Sequence, residues 1–350
     1  MVIEWGTFLS ELMSNPMLVA VTLLNIGVII VNGATDAPNA IATVVSTRCM
    51  KAGPAIAMAA ICNFLGLLVI TLVSSAVANT IFHMVDFGGD HHQALIALLA
   101  AMVAIIVWGV AAWAFGIPTS QSHSLIAGLT GAAIALQGGF GGINGAEWAK
   151  VVYGILLSTF MGFGFGWIVS KIVMRVFRRF DRAKLDHGFK WLQIIAGAGV
   201  AFMHGAQDGQ KFMGIFILAI TLATGIGQAD QMILPIWLMV FCALNMGLGT
   251  AIGGKKIIKS VGMDMVKLEK HQGFSASFAA VVCLVISTFG GLPVSTTHTK
   301  TTAIMGVGAA KNKKAVKWSI AIDMVKTWVL TFPGCGLLGF VFAQLFFLVL

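Results

Sequence analysis

Charge is scarce in this chain. Asp, Glu, Lys and Arg make up 10% of its 350 residues, where a soluble domain carries about 25%, so a water-facing globule is excluded. Acids are the scarcer sign, 13 against 22 basic residues, leaving a net charge of +9. Cysteine is also sparse: Cys49, Cys62, Cys242, Cys283 and Cys335 lie scattered in or beside apolar runs. Their odd number and lack of ligand spacing exclude a disulfide framework and a zinc site, and they read as packing residues. Glu4 and Glu11 precede the first apolar run, with no basic stretch and no small-residue cleavage motif, which argues against a removable signal peptide.

What is present is hydrocarbon. Hydrophobic residues are 58% of the chain, gathered in runs at 17–31, 53–78, 94–117, 151–174, 191–203, 212–226, 232–253, 274–292, 315–322 and 327–350. Many approach or exceed the roughly 20 residues that span a bilayer as a helix. The composition therefore predicts an all-α polytopic membrane protein, with the lipid bilayer as its first partner.

The basic residues follow alternate connections. Arg48 and Lys51 come first, then Lys171, Arg175, Arg178, Arg179, Arg182, Lys184 and Lys190. Lys255, Lys256, Lys259, Lys267 and Lys270 form a third group, and Lys311, Lys313, Lys314 and Lys317 a fourth. The intervening connections carry Glu4, Glu11, Asp86, Asp90 and Asp230 instead, and only Glu147 with Lys150 is mixed. This alternation is the positive-inside pattern; it makes the basic loops cytoplasmic, puts the N-terminus outside and removes any need for nucleic acid as a partner.

Threading by that rule, 17–47 enters, 53–78 leaves, 94–115 re-enters, 116–139 leaves and 148–174 re-enters. From a basic cytoplasmic linker at 175–190 the second half runs 191–224 out, 232–253 in, 274–291 out, 292–310 in and 315–348 out. About five net crossings per half is an odd number, so residues 1–174 and 191–350 are predicted to be inverted-topology repeats. Whether 116–139 and 292–310 each cross once or fold as re-entrant hairpins the spacing leaves open. Echoes support a duplicated half: Gly33-Ala34-Thr35-Asp36 returns as Gly205-Ala206-Gln207-Asp208, 172 residues on, and GIPTSQSH at 116–123 returns as GLPVSTTH at 291–298, 175 on. A long repeated offset signals duplication rather than a short solenoid repeat, and inverted halves with broken helices frame a midplane site in many secondary transporters.

Six ionisable residues fall in apolar runs or their breaks: Asp36, Asp208, Asp323, Lys211, Lys300 and Lys326. Each costs about 2.5–3.5 kcal/mol at the bilayer centre. Lys326 and Lys211 are long enough to snorkel from a helix end; Asp36 and Asp208 are too short and read as functional, with Asp323 between the two readings. In NGATDAPNA, 32–40, Pro38 lacks a backbone donor, so carbonyls near Asn32 to Thr35 are expected to lose their helical partners. Such unwinding is tolerated in lipid only where backbone lines a cavity. With Asp36 and Asn39 these carbonyls make an oxygen-rich set suited to a hard cation. HGAQDGQK, 204–211, offers His204, Gln207, Asp208 and Gln210 as the matching set, His204 and Asp208 sharing a helix face; two ligands are too few to assign a metal.

Pro118 and Pro293 are placed where proline favours the first turn of a helix. Ser120, Gln121, Ser122 and His123, and Ser295, Thr296, Thr297, His298 and Lys300, then surround two helix N-termini, whose free N–H groups bind anions. Capping alone uses one hydroxyl, and each copy has at least two. Carboxylates that hold cations beside amides and hydroxyls that hold an oxyanion describe cation-coupled oxyanion symport.

These residues resemble the inorganic phosphate transporter (PiT) family. Its G-A-N-D-x-x-N-A signature is matched by Gly33, Ala34, Asp36, Asn39 and Ala40, and in the second copy by His204, Gly205, Ala206, Asp208 and Gly209, with Thr35 and Gln207 in place of the asparagines. Its G-[LI]-P-[VT]-S-x-[TS]-H elements match 116–123 and 291–298. The resemblance spans nearly the whole chain. It implies a transporter rather than an enzyme, without cofactor, importing inorganic phosphate with Na⁺ or H⁺ across the plasma membrane. Animal sodium-coupled members carry a glutamate in each half where this chain has Asn63 and Ser277, so the likeness leans to bacterial low-affinity proton symporters and to phosphate carried free or as a metal–phosphate complex. A homodimer is left open. Three alternatives stand beside this reading: a sulfate permease, disfavoured because hydrogen phosphate can donate to a carboxylate and sulfate cannot; a passive anion channel; and an intramembrane hydrolase using Ser120 or Ser295 with the histidine three residues on, which lacks an orienting carboxylate nearby.

Overall fold

The computed structural model describes residues 4–88, 90–115, 119–225, 234–252, 266–312, 314 and 316–350. Gly116 to Pro118, Asp230, Lys255, Lys256, Lys259 and Lys313 lie outside the described residues. Thirteen helices follow one another among those described: α1 Trp5–Ser14, α2 Pro16–Thr35, α3 Pro38–Ser46, α4 Ala52–Val73, α5 Ala76–Phe82, α6 His91–Phe115, α7 Gln121–Gln137, α8 Gly145–Val176, α9 Arg182–Thr224, α10 Ile236–Ile252, α11 Lys270–Phe289, α12 Thr296–Lys311 and α13 Trp318–Val349. Six stretches are long and apolar enough to cross a membrane: Pro16–Ser46, Ala52–Val73, His91–Ala112, Gly145–Val176, Lys270–Phe289 and Ala321–Val349.

Helix starts follow local chemistry. Asn15 caps α2, its Oδ1 accepting from Met17 N and Leu18 N with Pro16 in the first turn, and Asn144 caps α8 in the same way. Glu269 and Gln272 form a reciprocal capping box at α11, which satisfies two orphan backbone donors at once. Pro38 has no N–H to continue the ladder. Ala37 N reaches back to Asn32 O and Asn39 N bonds Asp36 O, so the regular i→i−4 pattern fails across Gly33 to Thr35 and α2 gives way to α3. The Asn32 carbonyl, expected to be free, is therefore occupied, accepting also from Asp36 N. The matching residue of the second copy is Gln210, which keeps its N–H, and α9 runs unbroken for 43 residues.

Outer faces of α4, α8 and α13 expose large apolar side chains, among them Ile61, Leu72, Tyr153, Phe160, Leu330 and Leu337. Extensive exposed apolar surface of this kind suits lipid rather than water. Helices pack through small residues: a Cβ on Gly205 would run into the Asn63 backbone, and one on Gly66 into Phe202, so α4 and α9 lie in backbone contact, as small residues permit in membranes.

The stretches 119–139 and 292–310 belong to two helical pairs, α6 with α7 and α11 with α12. The α11–α12 hairpin closes on itself where Lys311 Nζ lies 2.8 Å from Glu269 Oε1. The α6–α7 hairpin closes where Gln137 Nε2 donates to Asp86 O at 3.5 Å. Helix α8 connects these two ends. Its start is tied beside Asp86, with Asn144 N on Met84 O at 3.1 Å. Past its other end, Phe177 meets Phe189, whose ring lies 5.9 Å from that of His271 on α11. The two hairpins thus close at opposite ends of α8. At 1.5 Å per residue, the 17 residues of α7 and 16 of α12 rise about 25 and 24 Å, together about the 48 Å of α8. Their tips meet in the interior, His123 against His298. Helix α7 packs on α13, and α12 on α8.

Candidate anion and cation site

The two tips are Ser120–His123 and Ser295–His298, and every residue in them is 3% exposed or less. Each tip is built alike. Ser120 Oγ accepts from His123 N at 3.3 Å, and Ser295 Oγ from His298 N at 3.2 Å, so both serines are N-caps. Pro293 stands before the cap rather than in the first turn of α12, which starts at Thr296. The capping hydroxyls are spent on backbone; one further hydroxyl of each tip turns to a carboxylate. Ser122 Oγ lies 3.4 Å from Asp208 Oδ1, and Thr297 Oγ1 donates to Asp36 Oδ1. The imidazoles of His123 and His298 meet edge-on, backed by Phe332 and Trp328 respectively. None of their ring nitrogens, nor Thr296 Oγ1, has a hydrogen-bond partner among the described residues. A serine that caps the backbone and a histidine whose ring ignores it do not form a nucleophile–base pair, which counts against the hydrolase alternative.

Asp36 and Asp208 flank the tips. Asp36 Oδ1 also accepts from Asn39 Nδ2 at 2.9 Å, and that same amide reaches Thr297 Oγ1 at 2.7 Å. Asp208 Oδ2 accepts from Asn32 Nδ2 at 3.0 Å and lies 3.3 Å from His204 Nε2. Asp36, His204 and Asp208 each offer a ligand atom within 4.8 Å of the others, and all three are buried. Two carboxylates and an imidazole could hold a metal ion or a smaller coupling cation. Asp36, the third ligand, comes from a different helix and was invisible in the spacing of HGAQDGQK.

Other expected residues lie apart from this cluster. Thr35 Oγ1 bonds Val31 O one turn back at 2.7 Å. Gln121 lies against Gly109 of α6. Gln207 Nε2 bonds Thr288 Oγ1 and Leu292 O at 3.0 and 3.2 Å, anchoring the turn that leads to the second tip. Gln210 bridges the gap between α4 and α5, donating to Ser74 O at 2.7 Å and accepting from Val77 N at 3.2 Å. Lys300 donates to Ser277 Oγ at 2.6 Å, inside a network in which Thr43 Oγ1 lies 3.1 Å from Ser277 Oγ and accepts from Gln193 Nε2 at 2.9 Å. A cavity of about 780 Å³ is lined by Thr47, Arg178, Asp186, Lys270, Gln272 and Lys311, and Thr47 adjoins the network by donating from Oγ1 to Thr43 O at 2.7 Å. Asp323 and Lys326 face outward and pair with each other at 3.5 Å.

Lys211 corrects the snorkelling reading. It is 1% exposed, and its Nζ lies 2.7 Å from Asp208 Oδ1, 2.6 Å from Ser122 Oγ and 2.6 Å from Val294 O. A buried ammonium is tolerated when paired and fully hydrogen-bonded, as here. Its position three residues after Asp208 was the only trace of this in the sequence. Asn63 is the other residue drawn in, its Oδ1 holding His204 Nδ1 at 3.1 Å and so orienting the ring.

Residues 32–339 match the profile of the Phosphate transporter family. The chain is 38% identical over 309 residues to a probable low-affinity inorganic phosphate transporter of Bacillus subtilis (strain 168), covering 88% of this chain and 91% of that one. It is 36% identical to a protein of the same description from Rhizobium meliloti (strain 1021), with 93% and 95% covered. Among solved structures, one described as the sodium-dependent phosphate transporter superposes with a TM-score of 0.87 at 20% identity, over 96% of this chain and 100% of that one; at that identity the likeness speaks to fold.

Proposed function

The chain belongs to the phosphate transporter family, and from that premise we propose that it imports inorganic phosphate across the plasma membrane by symport with a cation, Na⁺ or H⁺, through alternating access. One observation carries the reading: two capped helix N-termini from opposite ends meet at His123 and His298, with Asp36 and Asp208 beside them. First-turn amides of α7 and α12 present partial positive charge, and with His123, His298 and Thr296 they would receive the oxyanion. Asp36, His204, Asp208 and the amide oxygens of Asn32 and Asn39 would receive the cation, which offsets repulsion between the carboxylates and the substrate.

Residues 1–174 and 191–350 act in this reading as inverted repeats joined by the cytoplasmic linker 175–190. Support comes from the equivalent contacts of the two halves, Ser120 with Ser295 as caps and Asp208 with Asp36 as hydroxyl acceptors. The burial of both tips corresponds to a closed stage of the cycle, with the cavity beside Arg178 and Lys311 as the cytoplasmic vestibule. Purified protein in liposomes, given labelled phosphate or sulfate under imposed Na⁺ and pH gradients, tests all of this together. Phosphate uptake driven by one of the two gradients is expected. Sulfate uptake would favour a sulfate permease, and uptake indifferent to both gradients a passive channel.

A further inference from the structure

We propose that Lys211 is a resident cation, its ammonium standing in the Asp208 half where the Asp36 half takes a mobile one, so that phosphate moves with the cation of one half only. The inference rests on the symport reading above. It starts from the environment of Nζ: a carboxylate oxygen, a hydroxyl and a backbone carbonyl at 2.6–2.7 Å. That is the ligand chemistry of a hard cation, supplied here to a charge attached to the chain.

The equivalence of the two halves identifies the counterpart. The offset of 172 residues that pairs Asp36 with Asp208 pairs Asn39 with Lys211, and the offset of 175 pairs Ser122 with Thr297. The contacts agree. Asn39 Nδ2 reaches Asp36 Oδ1 and Thr297 Oγ1; Lys211 Nζ reaches Asp208 Oδ1 and Ser122 Oγ. Position and partners are conserved between the halves, but an amide carries no charge and an ammonium does.

The leftover oxygens follow the same division. Asp36 Oδ2, Asn39 Oδ1 and Asn32 Oδ1 are buried without a hydrogen-bond partner among the described residues. Both oxygens of Asp208 are engaged, one by Lys211 and the other by Asn32 Nδ2. Gln207 Oε1 is also unpartnered, but its amide nitrogen is committed to Thr288 and Leu292. A cation arriving from water therefore finds open oxygen ligands at Asp36, with His204 Nε2 and Asp208 Oδ2 close by. Replacing Lys211 by the residue of the other half removes one positive charge and reopens the second set, which a second mobile cation then fills.

The test compares wild type, Lys211→Asn and Lys211→Arg in liposomes, reading the membrane potential that arrests net phosphate movement at fixed gradients. Lys211→Asn is expected to carry one more positive charge inward per phosphate than wild type, and Lys211→Arg the same charge as wild type at whatever rate it transports. Lys211→Asn transporting with an unchanged charge count overturns the proposal. Should Lys211→Asn not transport, its melting temperature is titrated with NaCl and KCl against N-methyl-D-glucamine chloride. A saturable rise with either salt, or on lowering pH, larger than the rise wild type shows for its own site sustains the proposal, because each further ligand bound only to the folded form stabilises it; a response no larger than that of wild type overturns it. Wild type that moves no phosphate would refute the symport reading instead, while the salt titration still decides the role of Lys211.

Discussion

The rings of His123 and His298 stand nearly perpendicular, 85° apart in plane, with centroids 4.3 Å apart. Each is the third residue of its half-helix, and each caps its backbone amide on the serine three residues earlier. Neither histidine has an environment of its own making; each is walled by the other hairpin and by α13. Both should therefore contribute to the same bound anion. His123→Leu and His298→Leu are each expected to weaken apparent phosphate affinity about tenfold or more, since a hydrogen bond to a charged group contributes about 1.5–3 kcal/mol. Uptake measured against phosphate concentration checks this, and unaltered affinity in both variants would move the anion elsewhere.

Asp36→Asn and Asp208→Asn are both expected to abolish uptake while the protein still reaches the membrane. Their stabilities should part. Asp208→Asn strands Lys211 in the interior, a loss of about 3–5 kcal/mol for a broken buried pair. Asp36 has no such ion pair among the described residues, so its variant should melt near wild type. Thermal unfolding in detergent distinguishes them, and Asp208→Asn combined with Lys211→Met should recover part of the loss.

Ser120→Ala with Ser295→Ala removes both caps. About 1 kcal/mol per helix is expected in stability, together with weaker apparent phosphate affinity as the first-turn amides lose alignment. Melting and uptake on the same double variant report the two effects, and a variant that melts like wild type would contradict the capping geometry.

Lys300→Met should leave the fold at least as stable as wild type. Lys300 is fully buried, donates to Ser277 Oγ, and has no carboxylate within ion-pair reach among the described residues; an apolar side chain of similar length relieves the desolvation of an unpaired charge. Slower uptake at unchanged stability would place this lysine on the route between the tips and the cavity at Thr47. A large drop in melting temperature would show instead that its hydrogen bond holds the helices together.

Much of this architecture is legible in the sequence. Long apolar runs gave the spans, Pro38 located the break between α2 and α3, and the hydroxyl-rich repeats located both tips. What escaped were relationships between distant helices. Lys211 reads as a helix-end lysine until Val294, 83 residues away, presents its carbonyl. Gln210 looked like a ligand because it neighbours Asp208, yet its amide stitches α4 to α5. Lys300 follows His298 by two positions, which on a helix turns it well away, toward Ser277. The pairing of the tips was hidden because an apolar stretch of about 17 residues suits a thin crossing or a half-length return equally well, and nothing in the spacing brings His123 to His298.

Helix α9 has one more implication. At 43 residues it is about 65 Å long, roughly twice the hydrocarbon thickness. Near its start Asp186 pairs with Lys270, the first residue of α11, and farther along it carries His204, Asp208 and Lys211. Its N-terminal arm is thus tied, through Lys270, to the hairpin bearing His298. A molecule gripping that arm would bear on the surroundings of His298 and Asp208 without ever touching them.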